Sequence, residues 1–403
     1  MIRLLELRNT YKWGGGPDKT IMLSAQRHDP RRVSVVVAYV RDETDREFRV
    51  GATAQAHGVT FCEIIERSKL DLRVVRTLRQ LTQSYAIDII HAHDYKSDLF
   101  AYLVGLSLGR RRPALLSTAH AWVILGRRGE LYRRLDLHLM RRFDQLIAVS
   151  RATKAEMVEA GVPADKIAVI HNAIDTTTWS RTAVNGQRTL DAELPQDGPV
   201  IGYVGRIMPE KDLETWIRAA ALIGAQLPAA RFVLVGDGRD GLTEHALKDL
   251  ADALGIGSRT FFTGYRKDVR AAYASFDVFM LTSRREGLPN SILEAMAMGL
   301  PVVTTDVAGA KELVVDGSTG FVRRQGDVPG LAAAVTLLAA DAELRTWMGA
   351  SGRQRIEREF SFTHRLAVVE DLYERVVAAR RERMLAAGRP TANRGSALGQ
   401  EAR

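Results

Sequence analysis

The sequence predicts an α/β protein made of two doubly wound parallel-sheet domains facing across a cleft. Three observations carry this. The chain has 403 residues, more than one ordinary core organises, so about two domains are expected. Short apolar runs alternate with helix-like stretches, the signature of a parallel sheet covered on both faces. The alternation lapses once, in "TTTWSRTAVNGQRTLDAELPQDG" (176–198), and then restarts.

In the first half, "VSVVVAYV" (33–40), "DIIHAH" (88–93), "ALLSTAH" (114–120), "DQLIAVS" (144–150) and "KIAVIHN" (166–172) read as strands. "DLRVVRTLRQLTQSY" (71–85) reads as a helix, and "SRATKAEMVEAG" (150–161) as a helix with a serine cap and a glycine stop. In the second half "PVIGYVGR" (199–206), "ARFVLVGDG" (230–238), "RTFFTG" (259–264), "DVFMLTS" (277–283) and "PVVTTD" (301–306) repeat the pattern. The boundaries expected are a first domain at 1–180, a linker at 181–198 and a second domain at 199–360. The small-residue, polar stretch 384–403 reads as a disordered tail.

Composition narrows the classes. A single cysteine, Cys62, excludes an intrachain disulfide and cysteine-based zinc sites and suits a reducing cytoplasm. The first residues contain no long apolar region of a signal peptide, and no apolar run approaches a membrane span. The net charge of +9 is uneven: residues 1–190 hold 30 Lys/Arg against 20 Asp/Glu, and the remainder is nearly balanced. The first half is therefore expected to meet something acidic.

Ligands of parallel sheets bind beyond the carboxyl ends of the strands, so the motifs there decide the function. In "VGRIMPEKDLETWIRAA", Gly205 and Arg206 end a strand, and Lys211 stands at the opening of an amphipathic helix. An arginine and a lysine at a helix start suit a diphosphate. "VGDGRDG" places Gly236, Gly238 and Gly241 in a literal G-x-G-x-x-G. A dinucleotide-binding reading needs a carboxylate about twenty residues on, at the next strand end. That strand ends in Thr263 and Gly264, so the glycines are read instead as allowing close backbone approach.

"REGLPNSILEAMAMGLPVV" (285–303) sets Glu286 in a loop and Glu294 on the helix that follows. Gly287, Leu288 and Pro289 lead into that helix, with Asn290 and Ser291 suited to its exposed first-turn amides. Glu294 then lies roughly 7–8 Å along the axis from Pro289. Two separated carboxylates with free helix amides between them fit a nucleotide-sugar. The hexose meets Glu286, the diphosphate the helix start, and the ribose Glu294.

This E-x7-E segment, with "VGR…EK", "GGGPDKT" (14–20), "HAHD" (91–94), "STAH" (117–120), "VIHNAIDTTTW" (170–179) and "GAKELVVDGSTGFV", resembles the family 4 glycosyltransferases of the GT-B fold, over nearly the whole chain. The resemblance implies two Rossmann-like domains, a C-terminal helix at 361–383 returning to the first, and metal-independent, retaining transfer from a UDP- or GDP-sugar, without a cofactor. It implies that Arg206 and Lys211 neutralise the leaving diphosphate and Glu286 holds the transferred sugar. Glu294 would hold the ribose, Gly15 and Gly16 would close over the phosphates, and His120 would lie beside the reacting sugar. "TGYRKD" (263–268), with Arg266, would line the base pocket. Asp18 stands where the family commonly has glutamate, and His171-Asn172-Ala173 where it has Pro-Asn-Gly.

No Asp-x-Asp metal motif occurs. His91 and His93 share a strand face by alternation and read as cleft-lining or structural rather than as a metal pair, with no third ligand evident. The acceptor expected is a glycan or a lipid-linked glycan in surface polysaccharide or glycolipid assembly. The other readings are a GT-B sugar-nucleotide epimerase or hydrolase, and a non-catalytic nucleotide-sugar-binding protein. "GRRRP" (109–113) and "GRRGELYRRLDLHLMRRF" (126–143) hold nine arginines against Glu130 and Asp136, with Leu131, Leu135 and Leu139 at four-residue spacing. A basic amphipathic helix suits peripheral contact with an anionic membrane; solvated arginines on a packed helix are the plain alternative. Aromatic residues do not interleave with these arginines, so no nucleic acid is expected.

Overall fold

The computed structural model describes residues 1–11, 15–68, 70–120, 126–184, 198–238 and 242–387. Among these, two sheets form, and every strand pairing within them is parallel. The first contains β1 (Ile2–Asn9), β2 (Val33–Asp42), β3 (Phe61–Glu66), β4 (Ile89–Ala92), β5 (Ala114–Ala119), β6 (Gln145–Ala148) and β7 (Ile167–Val169) in the order β3-β2-β1-β4-β5-β6-β7. The second contains β8 (Val200–Val204), β9 (Arg231–Val235), β10 (Thr260–Phe262), β11 (Val278–Leu281), β12 (Val302–Thr305) and β13 (Gly320–Arg323) in the order β10-β9-β8-β11-β12-β13. In both, the order reverses at the first strand, and a crevice opens there beyond the strand ends.

Each sheet is covered because its strands are apolar on both faces. In the first domain Leu5, Leu7, Ile90, Leu115 and Leu146 pack with Val74, Leu78, Phe100 and Val104 of the helices on one side. On the other side Leu4, Ile89, Leu116 and Ile147 pack against Val369, Leu372, Tyr373 and Val376. Those four belong to the helix Phe362–Ala387, which lies on the first domain although it follows the second in sequence. This helix runs past the 383 boundary through Met384, Leu385, Ala386 and Ala387, all good helix formers, so these four residues of the expected tail are helical. Residues 388–403 and 185–197 of the linker lie outside the described residues.

The chain crosses between the domains twice, and the crossings pair with each other. Ile174 donates its N–H to the Phe360 carbonyl, and Phe362 donates to the Ile174 carbonyl, each over 3.0 Å. No helix among the described residues is long and apolar enough to cross a membrane.

Candidate active site

Arg206 and Lys211, expected to face the diphosphate, lie in the second domain. β8 ends at Val204, and Gly205 donates its N–H to Val235 at the end of β9 over 3.0 Å. Gly236 donates to Gly264 over 2.9 Å, and a Cβ on Gly236 would stand 1.9 Å from the Gly205 carbonyl oxygen. These glycines therefore let three strand ends converge; Gly241 lies outside the described residues. Arg206 is exposed, and its side chain has no partner among the described residues. Lys211 closes a short turn, Pro209–Lys211, one residue before the helix Leu213–Gln226, so it precedes that helix rather than opening it. Asp212, in the left-handed region at φ 48°, makes the corner, with Thr282 Oγ1 bonded to its carbonyl over 2.9 Å.

Lys211 Nζ donates to Glu286 Oε1 over 2.7 Å, and Ser283 Oγ donates to the same oxygen over 2.7 Å. The following helix is Asn290–Ala297, with Pro289 as its cap residue and no side-chain cap. Neither Asn290 nor Ser291 caps it, contrary to the sequence expectation. Asn290 Oδ1 instead accepts from Asn172 Nδ2 over 3.0 Å, across the cleft. Glu294 is buried within this helix and accepts from Tyr273 Oη over 2.9 Å and from Lys19 Nζ over 3.3 Å. Leu288 is buried.

The first domain meets this arrangement from the opposite side. Gly15 caps the helix Gly16–Arg27, and its N–H donates to Asp18 over 2.6 Å. Asp18 is buried and also pairs with Arg8 over 2.8 Å; here the aspartate holds the glycine loop in place. Gly14 lies outside the described residues. A Cβ on Gly16 would come within 2.5 Å of Asn290 Nδ2, so the loop sits directly on the helix start. The Glu294 carboxylate raises the pKa of the Lys19 ammonium, and the nearby Tyr265 and Asp268 reinforce it. The 263–268 loop therefore stands close to Lys19 and Glu294, and Arg266 in it is half-buried.

His120 follows directly on β5, and a Cβ on Gly287 would fall 1.6 Å from its carbonyl oxygen. Gly287 thus permits contact between the two domains. His171 Nε2 lies 2.8 Å from Glu312 Oε2, and Glu312 also accepts the N–H groups of Arg151 and Ala152 over 3.0 and 3.1 Å. A carboxylate of the second domain thereby caps the helix Arg151–Glu159 of the first. The departure at His171-Asn172 is therefore part of the join between domains.

His91 and His93 do have a third group beside them. Glu6 of β1 is buried against both, and ligand atoms of the three lie within 4.8 Å of one another. Hydrogen bonds already occupy both ring nitrogens of His91: Nδ1 with Tyr373 Oη over 2.8 Å and Nε2 with Thr118 Oγ1 over 2.7 Å.

The basic helix is Gly126–Met140. Its buried positions include Asp136, Leu137 and Met140, whereas Leu131 and Leu135 are 56% and 52% exposed. Arg133 pairs with Glu130 over 2.8 Å, and the Arg134 side chain, bonded to Glu130 at 3.0 Å, remains 74% exposed.

Sequence reasoning missed Lys19, Glu6, Ser283 and Tyr273. Lys19 lay inside the quoted glycine-rich segment, immediately after Asp18, so its position was the available signal.

Two family models divide this chain at the cleft. The one described as Glycosyltransferase Family 4 matches residues 14–178, and the one described as Glycosyl transferases group 1 matches residues 198–341. The chain belongs to the family 4 glycosyltransferases. This glycosyltransferase is 28% identical over 319 residues to EpsD of Bacillus subtilis (strain 168), covering 77% of this chain and 83% of that one. It is 26% identical over 322 residues to the Escherichia coli UDP-Gal:alpha-D-GlcNAc-diphosphoundecaprenol alpha-1,3-galactosyltransferase, covering 78% and 82%. In structure it resembles Anabaena HepE in complex with UDP and glucose, with a TM-score of 0.81, 22% identity, and coverage of 93% of this chain and all of that one. That likeness carries the GT-B fold, and the glycosyltransferase is a hexosyltransferase by its family and relatives.

Proposed function

We propose that this glycosyltransferase moves a hexose, with retention, from a UDP- or GDP-sugar to a glycan or lipid-linked acceptor in surface polysaccharide or glycolipid assembly. The observation that carries the reading is the pair of lysine–carboxylate contacts flanking one uncapped helix start. Lys211–Glu286 lies at one end and Lys19–Glu294 at the other. First-turn amides donate to a diphosphate, and carboxylates accept from pairs of sugar hydroxyls.

In this reading Arg206 and Lys211 stabilise the charge that develops on the leaving diphosphate, which is electrostatic catalysis by groups already in place. Lys19 adds a third cation. Glu286 orients the transferred sugar and Glu294 the ribose. Gly15 and Gly16 bring backbone amides over the phosphates, and Arg266 with its loop borders the base. The acceptor hydroxyl attacks on the face the diphosphate leaves, and the departing phosphate takes its proton. No cofactor or metal enters.

The HepE structures contain UDP, glucose and UDP-glucose, which supports a uridine donor. The Escherichia coli relative's name specifies a diphosphoundecaprenol-linked acceptor, which supports a lipid-linked one. The exposed Leu131 and Leu135, beside Arg134, give the first domain a surface suited to the anionic cytoplasmic face of a membrane. Those relatives are transferases, which disfavours the epimerase, hydrolase and non-catalytic readings.

The test is transfer from UDP-glucose and UDP-galactose to a GlcNAc-diphospho-lipid acceptor, with the product's anomeric configuration read by proton NMR. An α-linked product is expected. A β-linked product would refute retention, and release of free sugar alone would favour hydrolysis.

A further inference from the structure

A hydrogen-bonded chain runs along the strand ends of the first sheet, and the donor contacts above do not use it. Alternation places Leu4 and Glu6 on one sheet face, with Ile89, His91 and His93 beside them, and Leu116, Thr118 and His120 next. Toward the carboxyl ends, at the cleft, this face turns from apolar to polar. Glu6 Oε2 lies 2.5 Å from His93 Nε2, and His93 Nδ1 lies 3.3 Å from His120 Nε2. Glu6 and His93 are buried, and Tyr373 Oη donates to the other Glu6 oxygen over 3.4 Å.

The order of donors follows from the chemistry. A neutral imidazole carries one N–H and one lone pair. Ionised Glu6 can only accept, so His93 carries its proton on Nε2 and presents a lone pair at Nδ1. His120 must then donate from Nε2. Its other nitrogen, Nδ1, is buried and has no hydrogen-bond partner among the described residues. His120 follows β5 at the carboxyl end of the sheet, the end at which the cleft opens, so this unpartnered acceptor belongs to a residue of the cleft wall.

We infer that Glu6 and His93 are positioning residues that fix His120 as the Nε2–H tautomer, so that its Nδ1 accepts a hydrogen bond from a sugar hydroxyl in the cleft. The inference rests on the glycosyltransferase reading above and names the ligand chemistry at one of its positions. A lone pair selects a hydroxyl donor and repels a phosphate oxygen, which separates the sugar end of the cleft from the diphosphate end. Burial lowers His93 to about 4 and His120 well below its ordinary value, so both rings are neutral at pH 7. Burial alone would raise the Glu6 carboxyl, but it is held low, and hydrogen bonds from the His91 and His93 rings favour its ionised form. The order of donors is therefore stable over the working range.

The test uses protein labelled with ¹⁵N-histidine, with long-range proton–nitrogen spectra recorded at pH 7. His120 should be protonated at Nε2 alone, and UDP-glucose should shift its Nδ1 resonance. Glu6→Leu should convert His120 to a mixture of tautomers, with a cooperative thermal melt confirming that the variant folds. If that variant does not fold, Glu6→Gln replaces an accept-only carboxylate by an amide that can turn either its oxygen or its NH2 to His93, so the order of donors is no longer fixed. Its kcat for UDP release from UDP-glucose should fall roughly tenfold or more with KM little changed. Protonation of His120 at Nδ1, a pure Nε2–H tautomer in folded Glu6→Leu, or wild-type kcat in Glu6→Gln would overturn the inference. So would Zn²⁺ moving the His91 and His93 resonances while raising activity, because the cluster would then be a metal site. If wild-type protein turns over no nucleotide-sugar, the proposed function fails, and the nitrogen spectra still decide the tautomer separately.

Discussion

Lys211 Nζ donates to Glu286 Oε1 over 2.7 Å, joining two motifs 75 residues apart in sequence. The cation assigned to the diphosphate and the carboxylate assigned to the sugar thus form one unit, with Ser283 as a second donor to the same oxygen. Lys211→Ala should lower sugar transfer by roughly 10²-fold or more, a loss of about 3 kcal/mol of transition-state stabilisation. Arg206→Ala should do the same without moving the melting temperature, since the Arg206 side chain is exposed and has no partner among the described residues. Steady-state rates near wild type in both variants would remove the phosphate assignment.

Gly287 offers a test of the contact between domains. A methyl group there would meet the His120 carbonyl oxygen at 1.6 Å and Val149 Cγ2 at 3.2 Å. The first of these is backbone and cannot swing away, so the domains must part. Gly287→Ala should cost about 1–3 kcal/mol of stability and also reduce transfer. An unchanged urea midpoint together with unchanged activity would contradict the close approach.

Acid should destabilise the first domain through its buried histidines. Burial depresses His93 to about 4, with His91 and Arg8 acting in the same direction and Glu6 opposing, and holds His120 well below its ordinary value, with His93, Arg8 and Arg365 acting in the same direction. Unfolded histidine takes up its proton near pH 6.5. Between that pH and the folded values the unfolded chain binds more protons, so stability rises with pH. Each ring contributes a slope of up to about 1.4 kcal/mol per pH unit in this window. Glu6, also held low, adds the same sign at more acid pH. Urea midpoints at pH 7 and pH 5 should differ accordingly; equal midpoints would contradict the buried neutral rings.

The membrane reading concerns a surface that the sequence identified and the structure redrew. Leu131 and Leu135 face outward, while Arg133 is taken up by Glu130. Leu131→Ser with Leu135→Ser, or Arg134→Glu with Arg142→Glu, should weaken sedimentation with vesicles containing acidic lipid. Donor affinity should stay unchanged. Each arginine near the surface contributes about 1 kcal/mol, and added salt should weaken binding as screening shortens from about 10 Å at 0.1 M to 3 Å at 1 M. Equal partitioning to neutral and acidic vesicles, indifferent to these changes, would leave a soluble acceptor.

What the sequence made legible was local. Apolar runs such as 33–40 and 114–120 became β2 and β5, and Ser150 caps its helix by accepting from the Thr153 N–H over 3.0 Å. β1, the strand at which the order reverses, escaped notice because "IRLLELRN" mixes Glu6 and Arg8 into an apolar run. Those charges answer to the polar cleft end of the sheet, not to its core. β13 was passed over because "GFVR" holds only two consecutive apolar residues, Phe321 and Val322, between Gly320 and Arg323. Lys19 was missed as a partner of Glu294 because 275 residues separate them, and no local period reports such a pairing. The same holds for Glu6 and His93, 87 residues apart.

Chelation tests the charge assignment from another side. With Arg206, Lys211 and Lys19 supplying the cations, EDTA should leave transfer unchanged. Full loss restored by Mg²⁺ or Mn²⁺ would mean that a metal carries the diphosphate.

The most direct test of the central claim is thermal stability against a panel of UDP-, GDP-, ADP- and CMP-sugars. A ligand that binds only the folded state stabilises it by mass action, by about 2.7 kcal/mol at a hundred times its Kd. One nucleoside-diphosphate sugar should raise the melting temperature of the wild type and do so much less in Lys211→Ala. No shift with any member of the panel, or an equal shift in both proteins, would contradict the account.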